Sequence, residues 1–464
     1  MAPAEEIVVP PNPRELARRL DRLSPDDPHW QTILEKGWLG LLRNADFSVV
    51  QKWLPRLLES ASRKWGIQAA YNLLLKSEAA LHMRAKPSVG IYDHTLHLIG
   101  GGQKYGCTMA HALQDDFDVT LIAHREVTHR QLLEWYGIDL AACRIRIIPL
   151  PFFDEGGLRE IDPGRVSVRT GNPFAAVSRE SGSHDIFINN SMVEKVLPLA
   201  NESVLICHFP ERRPADFFYC DRYRHIVYNS LYTAEWIRKK WKIAPTRHIY
   251  PPVDMAGPGD ATGKGKMILS VARFESGGSK QQDRMIGAFA GLRERFPRET
   301  DGWKLVLAGG SAADNPFLSR IGDLIAARPD LPVELKVNIP MSELLELYRE
   351  AGIFWHFCGL HQTEPALVEH FGMTTVEAMQ NGCVPVVFDG GGHREIVEEG
   401  RSGFRFAGIG ELIEKTVRVI TDLRLRTELA RAARERGLRF TREVFESQVK
   451  AFFREIADRY ASAG

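Results

Sequence analysis

No window of the chain approaches the roughly 20 apolar residues that a bilayer-spanning helix needs, so an integral membrane protein is not expected. The amino-terminal stretch MAPAEEIVVPPNPREL has no basic region followed by an apolar run, and a secretory leader is not expected either. Cysteine is sparse. Cys107, Cys143, Cys207, Cys220, Cys358 and Cys383 stand far apart with no CxxC pair, and at least four of them sit in apolar runs. That argues for reduced core thiols and against a disulfide framework or a zinc site. An excess of one charge is missing as well: 60 Lys and Arg against 59 Asp and Glu leave a formal net charge of +1. No net field draws in nucleic acid, and any anionic ligand must be held by local charges. A cytoplasmic enzyme or binding protein is the expectation.

What is present is an ordinary globular composition, 44% hydrophobic and 26% charged, over 464 residues. That length exceeds the size at which single cores stop growing, so two core-bearing domains are expected. From about Pro13 to Lys86 apolar and basic residues alternate at helical spacing, as in VVQKWLPRLLESASRKWG, and 1–86 reads as a helical extension. Its simplest role is a packing appendage. Lys52, Trp53, Arg56, Arg63, Lys64 and Trp65 keep a second reading open, a surface for a membrane or partner.

From Ser88 short apolar runs alternate with helical segments: VGIY, DVTLIAH, RIRIIPL, HDIFINN, SVLICHF and HIVYN. Strands apolar on both faces and separated by helices imply a parallel sheet covered on both sides. The Gly- and Pro-rich stretch DMAGPGDATGKGK, 254–266, reads as a linker. A second series follows in MILSVARF, KLVLAGG, VELKVNI, IFWHFC and CVPVVFD. The expected division is 87–255 and 256–440 as two doubly wound α/β domains facing a cleft, with 441–464 as a helix that crosses back to the first.

The residues with chemistry cluster at expected strand ends. In EHFGMTTVEAMQNGCVPVVFD, Glu369 falls in a loop, Gly372 makes the turn, and a helix starts at Met373 with Glu377 early in it. The free N–H groups of Met373, Thr374 and Thr375 suit a phosphate, and a carboxylate on each side can accept from ligand hydroxyls. Two isolated glutamates would ordinarily be a solvated loop residue and a helix-dipole partner. Context favours more: Arg273 and Lys280, in SVARFESGGSKQ, can clamp a diphosphate from the end of the second domain's first strand. Gly100, Gly101 and Gly102, in LIGGGQKYG, allow close backbone approach in the first domain, and Gly390 to Gly392 offer a similar turn in the second. Asp116-Phe117-Asp118 precedes a strand and reads as a turn, not a metal site.

EHFGMTTVE has the form of an E-x7-E signature. With VARF…K, NSLYTAEWIRKKW, YPPVD and CHFP it resembles the GT-B glycosyltransferases of family 4, in the branch of bacterial sugar transferases and lipid-linked-oligosaccharide mannosyltransferases. The resemblance spans roughly Ser88 to Phe440. It implies a GT-B fold and retaining transfer of a hexose from a UDP- or GDP-linked donor to a sugar, lipid-linked or small-molecule acceptor. No metal and no other cofactor is implied. Glu369 would contact donor-sugar hydroxyls, Glu377 the ribose, and Arg273 with Lys280 the departing diphosphate, aided by the amides of 373–375. Gly100 to Gly102 would border the phosphates or acceptor. His208, in CHFP, would line the sugar pocket, although a strand-end histidine satisfied by backbone explains it equally. A Gly-Gly insertion between Arg273 and Lys280 occurs in only part of the family. The alternatives are a GT-B epimerase or hydrolase, and a non-catalytic nucleotide-sugar-binding scaffold; WIRKKWK, 236–242, leaves peripheral membrane contact open.

Overall fold

The structure is a computed structural model, and it describes residues 12–27, 29–42, 47–82, 86–150, 166–169, 171–191, 193–211, 216–255, 263–275 and 277–462. Most of the expected linker, 256–262, lies outside the described residues.

Four helices come first: α1 (Pro13–Arg22), α2 (Trp30–Leu42), α3 (Phe47–Trp65) and α4 (Ile67–His82). The Asn12 side chain accepts from the Glu15 N–H and caps α1, with Pro13 in the first turn where its missing N–H costs nothing. The helices pack on one another around Leu16, Leu20, Leu34, Trp38, Leu57 and Leu73. This core is drawn entirely from the extension itself, and the buried Trp38 indole donates to Ser77 Oγ at 2.9 Å within it.

Two all-parallel sheets follow. The first has seven strands, β1 (Ser88–Asp93), β2 (Asp118–Ala123), β3 (Arg144–Ile147), β4 (Ile186–Asn189), β5 (Glu202–Cys207), β6 (His225–Tyr228) and β7 (Arg247–His248), in the order 3-2-1-4-5-6-7. Register is set at the centre by Ile91 opposite Leu121 on one side and Ile188 on the other. The second has six, β8 (Met267–Val271), β9 (Lys304–Gly309), β10 (Val333–Val337), β11 (Ile353–His356), β12 (Val384–Phe388) and β13 (Phe404–Phe406), in the order 10-9-8-11-12-13. Alternate residues feed opposite faces: Ile268 joins one core, while Met267, Leu269 and Val271 join the other. Burial of each such side chain contributes about 1.5–3 kcal/mol, which is why these strands are apolar throughout.

Helix α5 (Gly101–Leu113) follows β1 directly. The last helix, Arg442–Ser462, lies against it and inserts Phe445, Val449, Phe452 and Phe453 into the first domain's core. The chain therefore passes between the domains twice, and the two passages touch: Val253 N–H donates to the Phe440 carbonyl at 2.9 Å. Among the described residues no helix is long and apolar enough to cross a membrane. The six cysteines are buried and unpaired with one another.

Candidate active site

In each sheet the strand order reverses at one place, between β1 and β4 and between β8 and β11. Open α/β sheets bind ligands outside the carboxyl ends of the strands at such points. Here the two face each other across a cleft of about 490 Å³, lined by Gly101, Gly102 and His208 from one domain and Arg273, Lys280 and Glu369 from the other, among others.

The floor is an ion pair. Lys280 Nζ lies 2.9 Å from Glu369 Oε2, with the two side chains 20% and 17% exposed, so the pair is shielded yet open to a ligand from the cleft. Burial is the largest influence on the Glu369 carboxyl and pushes it up, but the Lys280 ammonium and its hydrogen bond, together with His356 and His393, outweigh it and hold the acid well below the usual carboxylate range. His356 Nε2 stands 3.4 Å from the same oxygen. Burial drives this histidine well below its usual range, so it is neutral beside the carboxylate. Its ring meets His393 edge to face at 4.7 Å. His393 Nδ1 faces the Phe388 carbonyl at 3.2 Å, which makes Nδ1 the donor and leaves Nε2 to accept from Thr375 Oγ1 at 3.3 Å. Cys358 Sγ, 3.6 Å from Lys280, is pushed up to about 12 by burial and stays a thiol.

Two helix N-termini converge on this floor. Gly372 caps the helix Met373–Gln380 at φ 109°, ψ 56°, a conformation that favours glycine, and a Cβ there would come within 3.1 Å of His393. Thr375 differs from the sequence expectation. Its N–H bonds to the Gly372 carbonyl at 3.0 Å and its hydroxyl turns to His393, because the first turn closes tightly. Met373 and Thr374 remain as the amides that open to an anion. Opposite, Gly101 and Gly102 open α5, and a Cβ on Gly101 would approach Met373 Sδ to 2.9 Å. Two positive helix ends at this distance favour a ligand with paired negative charges.

Arg273 stands at the mouth, 77% exposed, with its guanidinium 3.2 Å from Glu275 Oε1; Glu275 also bonds Ser279 Oγ. Glu377 is not among the residues that line the cleft; it follows on the same helix, where Tyr348 hydroxyl donates to it at 2.7 Å. Burial raises the Glu377 acid above its usual range, with Tyr348 and Lys104 pulling it back. On the first domain, burial lowers His208 to about 4 against the pull of Asp93, so its ring is neutral at pH 7. Tyr105 meets it edge to face at 5.3 Å. Asp93 itself is fully engaged, by Thr95 N–H at 2.9 Å and Asn190 Nδ2 at 2.8 Å.

Contacts hold the walls together. The Glu395 carboxylate accepts from the Leu231 and Tyr232 N–H groups at 2.8 and 2.9 Å, capping a helix of the other domain. Tyr232 hydroxyl donates to the Pro365 carbonyl at 3.1 Å.

Of the residues expected from sequence, Gly101, Gly102, His208, Arg273, Lys280, Glu369, Gly372, Met373 and Thr374 line the cleft. Gly100 caps α5 from behind, its N–H donating to Tyr136 hydroxyl at 3.1 Å. Sequence reasoning missed His356, Glu275, Tyr348 and Glu395. The signal for His356 was a histidine closing the otherwise apolar strand IFWH. Asp116 and Asp118 sit at the start of β2, the opposite end of the sheet from the cleft, with Asp116 3.6 Å from Arg454. Among the described residues no group of three or more His, Cys, Asp or Glu side chains is placed to hold a metal ion.

Residues 258–436 match the family model Glycosyl transferases group 1. The chain is 28% identical over 252 residues to the GDP-Man:Man(3)GlcNAc(2)-PP-Dol alpha-1,2-mannosyltransferase of Dictyostelium discoideum, covering 50% of this chain and 48% of that one. It is 29% identical to the human protein of the same name, over 48% and 46%. The chain thus spans about half the length of the curated relatives it matches. Among solved structures, Anabaena HepE in complex with UDP-glucose aligns with a TM-score of 0.58 at 16% identity, over 80% of this chain and all of that one. A glycosyltransferase from Rickettsia africae aligns at 0.60 and 16%, over 80% and 99%. These likenesses establish the fold: the chain has the GT-B architecture, and the match to the glycosyl transferases group 1 model falls on its second α/β domain.

Proposed function

We propose that this chain is a retaining hexosyltransferase of the family 4 type, moving a sugar from a nucleoside-diphosphate donor to a glycan or lipid-linked acceptor without a metal. The observation that carries the proposal is the Lys280–Glu369 pair on the cleft floor, beside the open N-terminus of Met373–Gln380. A diphosphate seated on the Met373 and Thr374 amides would draw Lys280 away, and the freed Glu369 would accept from donor-sugar hydroxyls. Arg273 would leave Glu275 for the phosphates. Stabilisation of charge on a departing diphosphate is a large catalytic contribution, and two cations with two helix ends supply it without a divalent ion.

Retention is supported by which carboxylates the cleft offers. Its lining holds Glu275 and Glu369, both from the donor domain and both paired with cations. A covalent route needs a nucleophilic carboxylate on the opposite face of the sugar. Asp93, the buried acid that acts on His208, accepts on one oxygen from Thr95 and on the other from Asn190. Transfer on one face, with the leaving phosphate taking the acceptor's proton, fits this arrangement.

The relatives' names make GDP-mannose the first donor to test and a lipid-linked glycan the first acceptor. Leu231 is 54% exposed near the cleft, and Lys239 and Lys240 flank the Trp236 ring at 4.9 and 5.8 Å, a mixture that suits the cytoplasmic surface of a membrane. The test is a thermal-shift series with GDP, UDP, ADP and TDP, with and without EDTA. A ligand that binds only the native state raises its melting temperature. One diphosphate should stabilise selectively with EDTA present; no shift from any of the four would remove the donor-site reading. Donor turnover that needs no acceptor would favour an epimerase or hydrolase.

A further inference from the structure

Two rings from opposite walls of the cleft lie face to face. Phe209, after β5, and His370, after β11, have centroids 4.0 Å apart and planes within 5° of parallel. Each ring is the chain neighbour of a group that lines the cleft: His208 precedes Phe209, and Glu369 precedes His370. The stack is fixed from both sides. Tyr232 lies over Phe209 at 5.8 Å with planes 23° apart, and the Lys240 ammonium stands 5.1 Å from the same ring. His370 Nε2 meets the Ala366 carbonyl at 3.2 Å, and Tyr232 hydroxyl reaches the adjacent Pro365 carbonyl. Phe209 is only 3% exposed, so the ring has little freedom to move independently.

We propose that Phe209 and His370 are positioning residues: their stack sets His208 and Glu369 at working separation across the closed cleft and couples domain closure to alignment of the groups that meet the donor sugar. This rests on the donor-site reading. Neither ring needs to touch the reacting atoms. Each backbone is held one residue away from a group that does, and displacement of a catalytic group by about 1 Å can cost on the order of a hundredfold in rate. On the donor-site reading Glu369, beside His370, meets the sugar, while Arg273, Lys280 and the Met373 and Thr374 amides meet the diphosphate. Loss of the stack should therefore slow turnover and leave nucleotide affinity nearly intact.

The test is a double-mutant cycle of Phe209→Ala and His370→Ala, with His370→Phe as the conservative variant. Turnover of GDP-mannose and UDP-glucose, and the Kd of GDP and UDP by titration calorimetry, are measured on the full chain. Each alanine should lower kcat at least about tenfold while the diphosphate Kd changes by less than about twofold. The double variant should fall no further than the worse single, and His370→Phe should recover most of the rate. Losses that multiply, a His370→Phe chain as slow as His370→Ala, or affinity lost in step with kcat would each overturn the positioning role alone. A wild-type chain that binds neither GDP nor UDP would overturn the donor-site reading and take the positioning role with it.

Discussion

The Tyr348 hydroxyl donates a hydrogen bond to Glu377 Oε2 at 2.7 Å, fixing a carboxylate that burial would otherwise protonate more readily. Tyr348 is fully buried, so it acts through Glu377 and not on a ligand. Tyr348→Phe should raise the donor KM several-fold, about 1 kcal/mol for one hydrogen bond, with kcat little changed. Glu377→Ala should raise it further. Steady-state kinetics over donor concentration check both, and an unchanged KM in Glu377→Ala would remove this residue from ribose recognition.

Replacing Glu369 has two opposed effects. Glu369→Gln removes the charge that now occupies Lys280, so free diphosphate should bind as well as before or more tightly. The same change removes an acceptor for the donor sugar, and kcat should fall on the order of a hundredfold or more. Calorimetry with GDP or UDP beside turnover separates the two. A parallel loss of both would contradict the assignment to the sugar.

Lys280 and Arg273 should differ in stability although the proposed function gives both to the diphosphate. Lys280→Met leaves Glu369 shielded without its cation, a loss of about 3 kcal/mol or more. Glu369 is depressed in the folded state, so its stabilising share is present above the usual carboxylate range and fades as pH falls below it. In Lys280→Met that share should vanish, and the variant's deficit should shrink toward acid pH. Arg273→Met, at an exposed side chain, should shift stability by less than about 0.5 kcal/mol while weakening diphosphate binding. Urea unfolding at several pH values, with calorimetry, tests the contrast.

Glu194 offers a pH prediction away from the cleft. It is 8% exposed, and burial, with Glu211 adding to it, raises its acid to about 7. The folded state then holds a proton that the unfolded chain has released, so stability falls as pH climbs from the ordinary carboxylate value to about 7. The full cost, about 3 kcal/mol, is reached above that. Glu194→Gln should be the more stable chain at pH 8 and lose its advantage near pH 5. An equal difference at both pH values would contradict the assignment.

The sequence carried the two sheets well because their strands are buried on both faces and read as apolar blocks; VGIY, MILSV and CVPVVF became β1, β8 and β12. It missed β7, two residues long, and β13, three, since neither is long enough to show a period. Glu369, Lys280 and Arg273 were legible because strand ends and a glycine turn mark them locally. His356, Tyr348 and Glu395 were not: each matters through a partner far along the chain, as Tyr348 does to Glu377 and Glu395 to Leu231. Thr375 was misread for a local reason. Whether a first-turn amide is free depends on how tightly Gly372 closes the turn, which residue identity does not reveal.

The hydrogen bond from Val253 to the Phe440 carbonyl ties the two interdomain passages side by side. A single linker would let one domain swivel, slide and twist against the other. Two passages bonded to each other restrict those motions to ones that keep Val253 beside Phe440. The entropy given up in finding the aligned arrangement is thereby lowered before any substrate arrives, and the return of the last helix to the first domain acquires a kinetic meaning beyond packing.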